Sequence, residues 1–130
     1  MKHLLIITFT LSFSFSAFAN FAEEAKGKWN GPCNQDGDHY FRETIQFIEA
    51  GKGTLNEEYF KSANCSGEQI AIANPHNANA ISYQELVRES SGSYLLEVTF
   101  SNQPGRIEKV SIKVEDKILS GPFGHYTQAE

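Results

Sequence analysis

The side chains able to do chemistry are thinly spread along this chain. Its four histidines, His3, His39, His76 and His125, fall in separate segments. No His-x-His, His-x3-His or His-Glu-x-x-His spacing brings two of them onto one face, so no metal site is expected. Asp36-Gly37-Asp38 supplies two acids at calcium-loop spacing, but the remaining ligands and the closing Glu are missing. It reads as a solvated turn, with His39 exposed beside it and His76 in a polar loop. No serine sits in a Gly-x-Ser-x-Gly context, and Ser90, Ser91 and Ser93 surround Gly92 as ordinary turn chemistry. Glu57 and Glu58 are adjacent carboxylates. On a strand, neighbours point to opposite faces, so these two form no acid–base pair by themselves. The expectation is a protein without catalytic residues or a cofactor.

The aromatic residues are more suggestive. Tyr40, Phe41, Phe47, Tyr59, Phe60, Tyr83, Tyr94, Phe100, Phe123 and Tyr126 are distributed over most of the chain. They either fill a core or line a cavity open at one end. Tyrosine suits a cavity, because its ring packs on an apolar ligand while its hydroxyl finds a polar partner. Tyr83 and Tyr94 are expected to face each other across a hairpin. Together with Tyr59 they are the candidate ligand-binding residues.

Cys33 and Cys65 are the two cysteines, and their chemistry depends on compartment. Met1-Lys2-His3 is a short basic start, Leu4 to Phe18 is an apolar run, and Ala17-Phe18-Ala19 places small residues before Asn20. These are the three parts of a secretory signal peptide, occupying residues 1–19 and cleaved near Ala19-Asn20. The apolar run falls short of the roughly 20 residues needed to span a bilayer, and no basic stop-transfer cluster follows. A periplasmic or secreted location is therefore expected, where two cysteines pair as one disulfide. Neither cysteine has a Cys-x-x-Cys partner or a nearby histidine, as a redox or metal site would require.

The expected mature chain, residues 20–130, carries ten Lys and Arg against sixteen Asp and Glu, a net charge of −6. Nucleic acid demands a dense positive footprint, so it is excluded as a partner. The length suits a single domain, expected to be monomeric, whose modest core benefits from a covalent staple.

These residues must be positioned mostly by strands. Asn20 to Lys26 is the one plausible helix, capped by Asn20 with Glu23 three residues on and ended by Gly27. Lys28 to Asn30 is a short strand. The turn Asn34–Asp38 leads into His39–Glu49, with Phe41, Ile45 and Phe47 on one face. Gly51-Lys52-Gly53 turns into Thr54–Ser62, and a strand is expected at Glu68–Ala73. A polar loop, Asn74–Asn79, precedes a strand in which Ile81, Tyr83, Glu85 and Val87 share a face. Tyr94, Leu96, Val98 and Phe100 share another, as do Val110, Ile112 and Val114. Ile118–Ser120 is the last strand, followed by a frayed tail. Eight short strands joined by hairpin-sized turns must pair antiparallel. An up-and-down sheet of this kind loses both edges by closing into a barrel, with a two-sheet sandwich as the alternative.

The opening Phe21-Ala-Glu-Glu-Ala-Lys-Gly27-Lys28-Trp29 resembles the start of a lipocalin-type barrel. There a short helical turn closes one end and the Trp of Gly-x-Trp plugs the floor. The resemblance implies structural roles for Gly27 and Trp29 and a calyx that holds a small ligand. In that family a late-strand Arg stacks on the Trp; here no arginine follows Arg106, so Lys113 or Lys117 would have to take its place. Trp29 followed by Cys33 and Cys65 is also similar to small exported bacterial barrels. The leading expectation is an exported β-barrel that binds a small apolar or amphipathic molecule. The competing one is a module that binds or inhibits a protein, such as a hydrolase, through its loops around a filled core.

Overall fold

The computed structural model describes residues 20–72 and 79–129. The expected signal peptide, the loop residues 74–78 and His76 lie outside the described residues. Within them the chain forms one short helix, α1 (Phe21–Glu24), and nine strands. These are β1 (Gly27–Asn30), β2 (Asn34–Asp36), β3 (His39–Glu49), β4 (Lys52–Phe60), β5 (Asn79–Arg88), β6 (Tyr94–Phe100), β7 (Glu108–Glu115), β8 (Ile118–Gly121) and β9 (Gly124–Gln128). Every strand pair is antiparallel and each strand from β2 to β9 follows its neighbour in sequence. β1 pairs with β3 on one side and β9 on the other, and this closes the sheet into an eight-stranded barrel. The sandwich alternative is thereby set aside.

β2 is the ninth strand, and it continues β1. Both lie along the same edge of β3, β1 opposite Thr44–Phe47 and β2 opposite His39–Phe41. Between them Gly31, Pro32 and Cys33 form a break. The Gly31 N–H still donates to the Glu43 carbonyl at 2.8 Å. A Cβ at position 31 would lie 3.0 Å from the Tyr126 ring and 3.1 Å from the Glu43 carbonyl oxygen, so only glycine lets the strand pass this close.

Three readings from the sequence are corrected. The turn expected over Asn34–Asp38 contains the strand β2, because its residues reach back to pair with the start of β3. Of the strand expected at Glu68–Ala73, Ala73 lies outside the described residues and Glu68–Ile72 makes one bridge, Phe60 with Gln69, plus a hydrogen bond from Ile70 N–H to the Tyr59 carbonyl. Most consequentially, the expected frayed tail is β9, which pairs with β8 and completes the barrel. In addition, a bulge between Glu85 and Val87 breaks the alternation of β5, so Val87 turns outward and is 51% exposed.

The core runs down the barrel axis through Trp29, Phe47, Tyr94, Leu96, Ile112 and Leu119, all buried. Outside the barrel, the segment after β4 is tied back by the Cys33–Cys65 disulfide, whose Cα atoms are 5.7 Å apart. Beneath it the buried Glu58 carboxylate receives Lys28 Nζ at 2.5 Å, Arg42 Nε at 2.9 Å and Gln69 Nε2 at 3.2 Å. Burial alone would raise the Glu58 pKa, but hydrogen bonds and charge from Lys28 and Arg42 outweigh it and hold it below the ordinary value. No helix among the described residues is long and apolar enough to cross a membrane.

Candidate functional site

One end of the barrel is sealed by α1. Asn20 caps the helix, its Oδ1 accepting from the Glu23 N–H at 2.9 Å. The exit from the helix needs φ +118° at Gly27, a conformation that excludes side chains. This places Phe21, fully buried, at the centre of the floor. Its ring meets Phe47, Tyr83 and Tyr94 edge-on, with centroids 5.2–5.5 Å away. Trp29 lies beside it, 1% exposed, and donates its indole N–H to the Ala25 carbonyl at 2.8 Å. Trp29 is thus held in the core by both packing and a hydrogen bond to the helix end. A cation also stacks here, but from an unexpected place. Arg88 of β5 lies 5.0 Å over the Tyr94 ring, whereas Lys113 pairs with Glu115 and Lys117 sits in the exposed β7–β8 turn.

Tyr94 completes the seal. Its hydroxyl donates to Glu24 Oε1 at 2.5 Å, and Arg88 lies 3.5 Å from the same oxygen. Burial, then the Glu24 bond and charge, push the Tyr94 pKa up to about 12. The backbone N–H of Phe21 donates to Glu85 Oε2, fixing the helix to β5.

Above this floor the barrel holds a cavity of about 240 Å³. Its walls are aliphatic: Ile45, Leu55, Ile81, Leu96, Val98 and Ile112, with Leu119. Alternation explains why. Ile45 on β3, Leu55 and Ile81 on paired β4 and β5, and Leu96 and Val98 on β6 all occupy inward positions of the pleat. Tyr83 and Tyr126 also line the cavity. The Tyr83 hydroxyl is buried with no hydrogen-bond partner among the described residues. Burial first, then the negative charge of Glu43, raise the Tyr126 pKa.

The end opposite α1 is the mouth. On β3 the inward residues climb from Phe47 at the floor through Ile45 to Glu43; on β6 they climb from Tyr94 to Phe100. Phe123, in the turn before β9, lies 6.1 Å from Phe100 in an edge-to-face pair and is 47% exposed. Glu43, Phe100 and Phe123 therefore form the rim of the cavity. Glu43 is half-buried, and its carboxylate makes no hydrogen bond or ion pair among the described residues.

Of the three tyrosines singled out from sequence, only Tyr83 lines the cavity. Tyr94 lies in the floor, and across the hairpin it faces Arg88, while Tyr83 faces Val98. The two tyrosines meet through Phe21 instead of through each other. Tyr59 lies beyond the mouth, donating to Glu57 Oε2 and packing against His39 and Phe41. His39, expected to be exposed, is half-buried there, 3.4 Å from Asp38. Sequence reasoning passed over Glu43, Phe123 as a rim residue and the position of Tyr126. The run Gly124-His-Tyr126-Thr-Gln128 after a Gly-Pro turn is a strand signal that would have placed Tyr126 inward.

The described residues thus define a small closed antiparallel β-barrel with a sealed floor and an apolar interior cavity. Neither family models, nor curated proteins, nor solved structures yield a match to this chain.

Proposed function

We propose that this protein is an exported, non-enzymatic carrier that binds a small, largely apolar molecule inside the barrel. The observation that carries the reading is the cavity of about 240 Å³, aliphatic along its walls and sealed at one end by Phe21 and Trp29. A core cavity of about 150 Å³ takes up benzene, so the volume here suits a ligand of roughly ten heavy atoms. It is smaller than the pockets that hold drug-sized ligands, about 300–1,000 Å³. The cavity favours this reading over a loop-based inhibitor with a filled core. The Cys33–Cys65 disulfide supports residence in an oxidising compartment, as the lipocalin-like architecture supports ligand carriage.

Native mass spectrometry of protein purified gently from its source compartment tests the reading. A reproducible extra mass of one to two hundred daltons, or thereabouts, is the size of cargo such a cavity admits, and denaturation should release it. Failure of the protein to take up any small apolar compound, endogenous or added, would overturn the proposal.

A further inference from the structure

Glu43 is the acidic residue that lines the cavity. An inward-facing, half-buried carboxylate at the mouth of an apolar cavity is unusual, because acidic side chains are seldom drawn against apolar surface without a partner. Two other acids drawn into the structure have partners: Glu58 has Lys28 and Arg42, Glu24 has Tyr94 and Arg88, while Glu97, half-buried and also unpaired among the described residues, alternates with inward Leu96 and Val98 and so faces outward. Glu43 has none among the described residues, and Arg42 beside it points to the outer face of the barrel, where it is already engaged by Glu58. Glu43 stands at the rim together with Phe100 and Phe123. A carboxylate and aromatic rings on one rim are the groups that recognise an ammonium, through charge and through cation–π attraction.

On the reading of the barrel as a carrier, we infer that its ligand is a small amphipathic cation. Its apolar body enters the aliphatic cavity, and its protonated amine stays at the mouth against the Glu43 carboxylate and the rings of Phe100 and Phe123. The net charge of −6 on residues 20–130 adds a long-range attraction for such a molecule and repels fatty acids and other anionic amphiphiles.

Three probes of matched size and shape test this by calorimetric titration at neutral pH: 2-phenylethylammonium, 2-phenylethanol and phenylacetate. They share the apolar body and differ in head-group charge. The ammonium should bind about tenfold or more tightly than the alcohol, and phenylacetate more weakly than either. In Glu43→Gln the ammonium should fall to the affinity of the alcohol, whose own affinity stays unchanged. Phe123→Ala, at an exposed position that leaves the barrel wall intact, should weaken the ammonium several-fold more than the alcohol. Equal affinities in the unaltered protein, or a preference for the alcohol or the acid, would overturn the cation assignment while leaving the carrier reading standing. Absence of binding by all three would overturn both.

Discussion

Glu58 and Tyr94 are both ionisable groups drawn into the structure, and they make the protein sensitive to pH from opposite sides. Glu58 has a folded-state pKa below its ordinary value of 4.5. Its ion pairs with Lys28 and Arg42 therefore contribute stability that is fully present above about pH 4.5 and is lost as pH falls through the folded value. Thermal unfolding followed by circular dichroism should show a falling midpoint in this acid window, and the fall should be shallower in Glu58→Gln. Tyr94 behaves in the reverse sense. Its phenol is raised from 10 to about 12, so the stability it contributes is present below pH 10 and disappears as pH rises towards 12. A spectrophotometric titration of phenolate should find a tyrosine that ionises only near the alkaline unfolding transition, and Tyr94→Phe should remove it. That variant should lose about 1 kcal/mol, the worth of one hydrogen bond, because Glu24 retains Arg88. The charge partners of Glu58 were invisible in the sequence. Lys28, Arg42 and Gln69 lie 30, 16 and 11 residues from it and meet only through strand register.

At the scale of elements, the stability of the barrel rests on the floor and on the closure of the sheet. Trp29→Ala removes the largest fully buried side chain and should cost about 3 to 5 kcal/mol in denaturant unfolding. A loss under about 1 kcal/mol would contradict its place in the core. Gly31→Ala forces a methyl group against Tyr126 and the Glu43 carbonyl, and should cost about 1 to 3 kcal/mol by overpacking. Reducing Cys33–Cys65, which are 32 residues apart, should cost about 3 to 4 kcal/mol on the chain-entropy view. The long strands were legible because alternation is sustained in them: β3, β6 and β7 show it over many residues. β9 escaped notice since its five residues carry a single buried apolar side chain, Tyr126, and its second partner, β1, lies almost a full chain length away. Glu68–Ala73 was misread for the converse reason. Ile70 and Ile72 give it a strand-like pattern, but beyond Leu55 the edge of β4 parts from β5, and the described part of this segment meets it through Gln69 and Ile70.

The whole molecule is a barrel whose interior is not completely filled, and this could not be read from the sequence. Alternation tells which side chains point inward; it does not say whether their volumes fill the space that closure encloses. The aromatic residues divide: Tyr94 goes to the floor and Phe41 and Tyr59 lie beyond the mouth, while Phe47, Tyr83, Phe100, Phe123 and Tyr126 line the cavity from its floor to its rim. Between them the aliphatic side chains of Ile45, Leu55, Ile81, Leu96, Val98 and Ile112 border a cavity of about 240 Å³. The antiparallel barrel was accordingly legible in the meander of alternating strands. The cavity and its acidic rim emerged only from the register of the closed sheet.

On the proposed function, a small molecule enters this barrel between the floor and the rim. The most direct measurement is a methyl-labelled NMR titration with 2-phenylethanol, a neutral probe that needs no charge complement. Shifts should concentrate on the methyl groups of Ile45, Leu55, Ile81, Leu96, Val98 and Ile112, which line the cavity. The exposed Ile48, Ile107 and Ile118 should stay unmoved. A titration that moves no methyl group, or moves only those on the surface, would contradict the account.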